Sequence, residues 1–219
     1  MDDNKRRQIK NCFRQAMNAD LSNSMRAHGL GYRMNFGVPS PRIKLIASQF
    51  EPNAADAQYL WNEDVRESKM LATYLFPKEE MTEALANEWA AQIRYPEIAD
   101  QAAMNLFVEL PFAKELATQW ISADSEMLNY TGFRLWVRLL MNKHYPDKEQ
   151  QAILFSRLKP ALLSEVAYLR QVSIALAEKI GDSGAEWQTL LSQNLSDWKK
   201  SADHKSVDLY RFICYWDEN

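Results

Sequence analysis

The stretch Ile93–Phe107, IRYPEIADQAAMNLF, decides the fold class. Ala99, Ala102, Ala103, Leu106 and Leu110 recur at i, i+3, i+4, i+7 and i+11, the spacing of one buried helical stripe. Pro96 suits a first helical turn, because its missing N–H would have no partner there. Glu97 and Asp100 follow at the positively polarised end of that helix, where carboxylates are favoured. Asp100 lies one residue from the Ala99 stripe, so it is placed either as an ordinary dipole-compensating acid or as a carboxylate facing an inter-helical groove. In a groove, a carboxylate steadies a developing cation or orients a water.

The same period extends in both directions. Leu85, Trp89 and Ile93 form one stripe, Phe133, Trp136, Val137 and Leu140 another. Leu169, Val172, Leu176 and Ile180, then Trp187, Leu190, Leu191 and Trp198, continue it. No comparable stretch alternates apolar and polar residues with the period of two that strands require. An all-α fold is expected. Pro39, Pro41, Pro52, Pro77, Pro96, Pro111 and Pro146 fall between stripes, and Asp124-Ser125 offers caps to the helix that follows. Pro160 alone sits inside an apolar pattern and is read as ending one helix and opening the next. These breaks give about ten helices of roughly 10–18 residues. Trp61, Trp89 and Trp120 close stripes at intervals of 28 and 31 residues, the spacing of helical repeat arrays, with a globin-like or irregular bundle as the alternative. No linker or low-complexity run divides the chain, so residues 1–219 are expected to form a single helical-repeat domain.

Composition limits the function. The 219 residues are 47% hydrophobic and 25% charged, enough for one sizeable core or two small ones without disulfides or metal. The net charge of −3 hides an asymmetry. Residues 1–50 carry nine lysines and arginines against three aspartates, a balance of +6, and the remainder is −9. A basic segment on an acidic body reads as a nucleic-acid-facing end or as a solvated helix. Cys12 and Cys214, at opposite ends, make no disulfide framework. MDDNKRRQIK has no apolar signal region, and even LWVRLLM is interrupted by Arg138, so a soluble, cytoplasmic protein is expected.

The usual catalytic signatures are missing. His28, His144 and His204 are far apart with no metal-ligand spacing, and no phosphate-binding glycine motif or nucleophile elbow occurs. Neither metal nor cofactor is expected. Two local features remain beside the Ile93 stretch. GVPSPRIKLIA, Gly37–Ala47, is a two-proline turn feeding a helix with Arg42 and Lys44 near its start. It is either a rigid turn with a solvated face or an edge that contacts phosphate. LWNEDVRESKMLATYL, Leu60–Leu75, places Arg66 and Lys69 beside Glu63, Asp64 and Glu67 at helical spacings, which reads as local surface ion pairs worth a few tenths of a kcal/mol.

Three runs together carry a resemblance: MRAHGLGYRMNFGVPSPRIKLIASQF, YLWNEDVRESKMLATYLF and RYPEIADQAAMNLF. They resemble the DNA alkylation repair family, the AlkD-like glycosylases, most clearly over residues 25–110. The resemblance implies an α-solenoid of HEAT-like antiparallel helix pairs whose basic concave face holds duplex DNA. It also implies hydrolysis of the N-glycosidic bond of cationic alkylpurines such as 3-methyladenine and 7-methylguanine, without metal or cofactor. The family's WWDxVD motif matches Tyr95 to Asp100, with Asp100 at the catalytic aspartate, Tyr95 as an aromatic replacement, and Pro96 where a tryptophan is expected. The groove arginine of the family falls near Gly132, with Arg134 as the nearest substitute, and a second groove tryptophan falls near Ala175. Arg26, Arg33, Arg42, Lys44, Arg66, Lys69, Arg94, Arg134 and Arg138 would then supply the track for DNA phosphates.

Two functions follow. In one, Asp100 stabilises positive charge on the deoxyribose while Tyr95 packs near the lesion. In the other, lost aromatic and arginine positions leave a catalytically inactive HEAT-like scaffold that binds DNA or a protein partner. An aromatic face against a cationic base is worth about 0.5–2 kcal/mol per contact, and Pro96 and Ala175 supply none.

Overall fold

The computed structural model describes residues 1–218, which form two compact units. The first, Met1–Leu110, holds α1 (Asp3–Gln15), α2 (Ala19–Ala27), α3 (Ser40–Ala47), α4 (Ala54–Asn62), α5 (Arg66–Leu75), α6 (Glu83–Ala91) and α7 (Pro96–Asn105). The second begins at Pro111 and holds α8 (Ala113–Ile121), α9 (Glu126–Met141), α10 (Lys148–Leu162), α11 (Ala167–Gly181), α12 (Ala185–Asn194) and α13 (His204–Ile213). Extended pairing among the described residues is confined to one parallel bridge, Met34 with Val65. None of these helices is long and apolar enough to cross a membrane.

The helices start where the sequence provides acceptors for their orphan N–H groups. Asn18, Asn53, Thr82 and Ser125 accept from the backbone three residues on. Asp147 and Gln150 close a reciprocal capping box at α10. Pro96 takes the first position of α7, as its chemistry requires. Asp124 stays outside the cap, which Ser125 makes alone. Among the described residues there are thirteen α-helices rather than about ten, and short 3-10 turns interrupt stripes that read as continuous. The Ala99 stripe shows this: all five residues are buried, but Leu106 ends α7 and Leu110 lies beyond a 3-10 turn at Phe107–Glu109. Pro160 does not open a new helix. It sits in the last turn of α10, which continues to Leu162, where the cost of a missing N–H is limited to one bond near a fraying end.

Within the first unit, α5 packs between α3 and α7, and α4 packs on α5. Equivalent positions of successive repeats meet. Trp61 and Trp89 stack face to face with centroids 4.2 Å apart, and Gln58 accepts from Trp89 Nε1 at 2.7 Å across a separation of 31 residues. Both rings are fully buried, and such a stack adds about 0.5–1.5 kcal/mol beyond area burial. In the second unit α9 lies against α8 and α11, and α11 also contacts α10, α12 and α13. The packing of α9 on α8 depends on Gly132. A Cβ there would stand 2.7 Å from the backbone nitrogen of Ile121 and 2.9 Å from the carbonyl of Ala117.

Candidate functional site

The site grows from a polar knot at the start of α5. The segment before α3 runs extended beside residues 64–66, with Met34 N–H donating to the Asp64 carbonyl and Arg66 N–H to the Met34 carbonyl, both at 3.2 Å. Glu67 then accepts from the backbone N–H of Phe36 at 3.1 Å and of Val38 at 3.2 Å. Arg66 donates to Glu67 and to the Val38 carbonyl, both at 2.9 Å, and grips both carboxylate oxygens of Glu97 on α7. One guanidinium thus ties the loop, α5 and α7 together. Gly37 completes the loop with φ +68°, and a Cβ there would come within 2.1 Å of the Asn18 carbonyl, so only glycine fits.

This knot corrects the reading of Leu60–Leu75 as a solvated helix with surface pairs. Arg66 is 1% exposed, Glu67 0%, and Lys69 is buried as well. Lys69 donates to the Trp61 carbonyl and lies 4.9 Å above the Trp61 ring. Burial, with Arg94 adding to it, pushes the Lys69 ammonium below its ordinary range. Neither Arg66 nor Lys69 presents its charge to a phosphate in this conformation. Their work is internal.

Beside the knot sits an aromatic and cationic cluster. Tyr95, immediately before α7, packs on Tyr32 with centroids 4.7 Å apart, and its hydroxyl accepts from the Gly31 N–H at 2.8 Å. Arg94 spans both rings, about equally far from each, and pairs with Asp64, which also accepts from the Arg33 N–H at 3.0 Å. Tyr95 is half-buried with its hydroxyl already engaged, so it braces the entry to α7. Burial, with Glu97 adding to it, raises the Tyr32 phenol far above its ordinary value, so it stays neutral. Asp100 lies one turn further along α7, partly exposed, on the strip it shares with Glu97 and Met104, at the margin of the buried stripe of Ala99, Ala102 and Ala103.

The remaining basic candidates separate by unit. Arg26, Arg33, Arg42 and Lys44 are exposed in the first. Arg42 and Lys44 stand on α3, whose N-cap residue Pro39 provides no side-chain bond and whose first turn has no acid. Arg26 donates to the Tyr32 carbonyl at 3.3 Å, and Arg94 is committed to Asp64. In the second unit Arg134 and Arg138 are half-buried on α9; Arg134 donates to the Tyr130 hydroxyl at 3.1 Å and lies over that ring. Gly132 cannot be replaced by any longer side chain without moving α8, which is why an arginine has no room there. Ala175 is half-exposed at the edge of a cavity.

Sequence reasoning missed Glu67 and Glu97 as the anchors of the site. A signal existed: Arg33 with Asp64, Phe36 with Glu67, and Arg66 with Glu97 are all 31 residues apart, one repeat of the stack. Charged positions that recur at the repeat length meet between neighbouring repeats rather than in water.

Comparison with known proteins bears on the fold and the family. No curated protein matches. Among solved structures, one matches with a TM-score of 0.76 over 96% of this chain and 94% of that one, at 14% identity. It is described as belonging to a new family of proteins related to the HEAT-like repeat DNA glycosylases, with affinity for branched DNA structures. That likeness establishes the fold as an all-α stack of HEAT-like helix pairs, an α-solenoid. The family model of the DNA alkylation repair enzymes matches residues 9–159, which takes in the knot, the α3 edge and all of α7, and the chain belongs to that family.

Proposed function

We propose that this protein acts on DNA in alkylation repair, binding duplex DNA and hydrolysing the N-glycosidic bond of cationic alkylpurines, with 3-methyladenine and 7-methylguanine as the substrate class. The observation that carries the reading is Asp100: a partly exposed carboxylate one turn into α7, on a helix whose start is fixed by Arg66–Glu97 and Tyr95–Gly31. As the bond to a positively charged base lengthens, the sugar acquires cationic character. A fixed carboxylate stabilises that charge and orients the incoming water. The base leaves as a neutral group, so neither metal nor cofactor is required. Tyr95 holds the helix start and lends its ring edge to the base. Arg26, Arg33, Arg42 and Lys44 take the phosphates, with Arg94, Arg134 and Arg138 in support. Arg66 and Lys69 act from within. We treat the two compact units as one helical-repeat domain of a cytoplasmic protein.

The test is release of 7-methylguanine from an alkylated duplex. Release by the parent, reduced about 100-fold or more in Asp100→Asn, is expected from the loss of one preorganised charge. No release by the parent, or equal release by Asp100→Asn, overturns the catalytic assignment.

A second reading rests on a separate observation. The matched structure belongs to proteins with affinity for branched DNA, and this chain has Pro96, Gly132 and Ala175 at three groove positions of the glycosylase pattern. Under it the protein binds a junction without cutting the glycosidic bond. Tighter retention of a four-way junction than of a linear duplex, with no base release, selects this alternative.

A further inference from the structure

The second unit contains a cavity of about 450 Å³ whose walls are of two kinds. One wall is the C-terminal half of α11 and its cap, with Ala175, Glu178 and Asp182; the other is Phe212, Tyr215 and Trp216 from α13 and the turn after it. Asp182 is the C-cap of α11, and its carboxylate lines the same space, whereas the last carbonyls of the helix are bonded within the protein.

The aromatic wall is built rather than incidental. Tyr215 and Trp216 meet at 70° with centroids 5.0 Å apart, forming a corner of two ring faces. The Trp216 ring is seated against Gly181, where a Cβ would come within 2.6 Å of it, and its Nε1 donates to Ser192 Oγ at 3.1 Å. Glycine at 181 is therefore what lets the outer end of the indole approach α11 so closely. Yet Phe212 is 59% exposed and Tyr215 64%, so the two outer rings are left to solvent. Large exposed aromatic rings around a seated indole need a reason.

Charge supplies it. Lys179 is occupied with Asp182 at 2.6 Å and lies over neither ring. Glu178 carries no ion pair among the described residues, so the cavity has one carboxylate in excess. Ring faces and a surplus carboxylate both attract positive charge, and aromatic faces attract it most when it is spread over weakly hydrated alkyl groups. Among the described residues no group of three or more metal-ligating side chains meets here, and the excess charge is of the wrong sign for a phosphate. We infer that this cavity binds a small organic cation, its alkylated nitrogen set in the Tyr215–Trp216 corner and facing Glu178. Ala175 is also one of the groove positions of the glycosylase pattern, so the purine form of the inference rests on the repair reading, whereas the trimethylammonium form stands on the second unit alone.

Two sources share that chemistry: a tetrahedral trimethylammonium group and a planar N-methylated purine cation. The test uses the full chain with calorimetry and tryptophan fluorescence. Choline is compared with its uncharged carbon analogue 3,3-dimethylbutan-1-ol, and 7-methylguanosine with guanosine. At least one cation should bind saturably and about ten-fold more tightly than its neutral partner. Tyr215→Ala, at an exposed position where folding is undisturbed, and Glu178→Gln should each weaken that cation about five-fold or more, with an unchanged melting temperature. Which cation binds tells the two sources apart. Equal binding of the neutral analogues, binding that survives both substitutions, or no saturable binding of either cation overturns the proposal.

Discussion

The two compact units solve the same stacking problem with different chemistry. In the first, successive repeats are joined by polar side chains reaching one repeat length: Arg66 to Glu97, Glu67 to Phe36 and Val38, Gln58 to Trp89, and Asn105 to Thr73. In the second, buried polar bonds of that reach give way to close apolar packing, with nine of the sixteen residues of α9 buried and Gly132 pressed on α8. Its long-range ion pairs, such as Lys159 with Asp197 and Lys205 with Glu165, are on the surface. Apolar packing tolerates small slips, whereas a guanidinium between two carboxylates has one geometry. The first unit therefore fixes the register of α7, and α7 carries Asp100.

The comparison breaks most visibly at Glu67. Glu67→Ala leaves Arg66 buried with one of its two carboxylate partners gone and two backbone N–H groups unsatisfied, and should cost about 3–5 kcal/mol. Denaturant unfolding measures it; a loss below about 1 kcal/mol means the knot is not what holds the loop. The matching strike on the second unit is Gly132→Ala. Its Cβ forces α8 away, at a cost of about 1–3 kcal/mol that the better helix propensity of alanine reduces only in part. Should Glu67→Ala prove milder than Gly132→Ala, the contrast between polar and apolar joining collapses.

Smaller effects sharpen the contrast. Reversing both exposed charges on α3, Arg42→Glu with Lys44→Glu, should leave the melting temperature within a few degrees and weaken duplex binding at low salt. The slope of log affinity against log salt should fall by about one to two, and an unchanged slope removes α3 from the phosphate track. The smallest effect concerns the two thiols. Cys12 is half-exposed on α1, whereas Cys214 is buried and its burial pushes the thiol up to about 11. The thiolate is the reactive form, so one equivalent of thiol should label in the folded protein at pH 8 and a second only on unfolding. Two rapid equivalents contradict the burial of Cys214.

Much of the fold was legible because it depends on local periodicity. Every residue of the Ala99, Phe133 and Leu169 stripes is buried, and Pro96 and Ser125 begin helices as their chemistry demands. The site was legible only at its surface. Asp100 and the α3 cations could be named from a motif, but Arg66 and Lys69 read as solvated charges because polar residues at helical spacing ordinarily are. Four consecutive polar residues, Arg66 to Lys69, face inward because α5 is covered by α3, α4 and α7 together. No single-helix pattern carries that information.

The sequence by itself determined that the chain is helical, which faces are apolar, where helices such as α7 and α9 begin, and that the chain repeats at about thirty residues. Those properties follow from backbone hydrogen bonding and side-chain period, which act over a few residues. Only the tertiary structure decided which charges are structural, which glycines are contacts, and which aromatic rings remain uncovered. Each of those depends on what a neighbouring repeat places within a few ångströms, and residues that far apart in the chain meet only once the stack has formed.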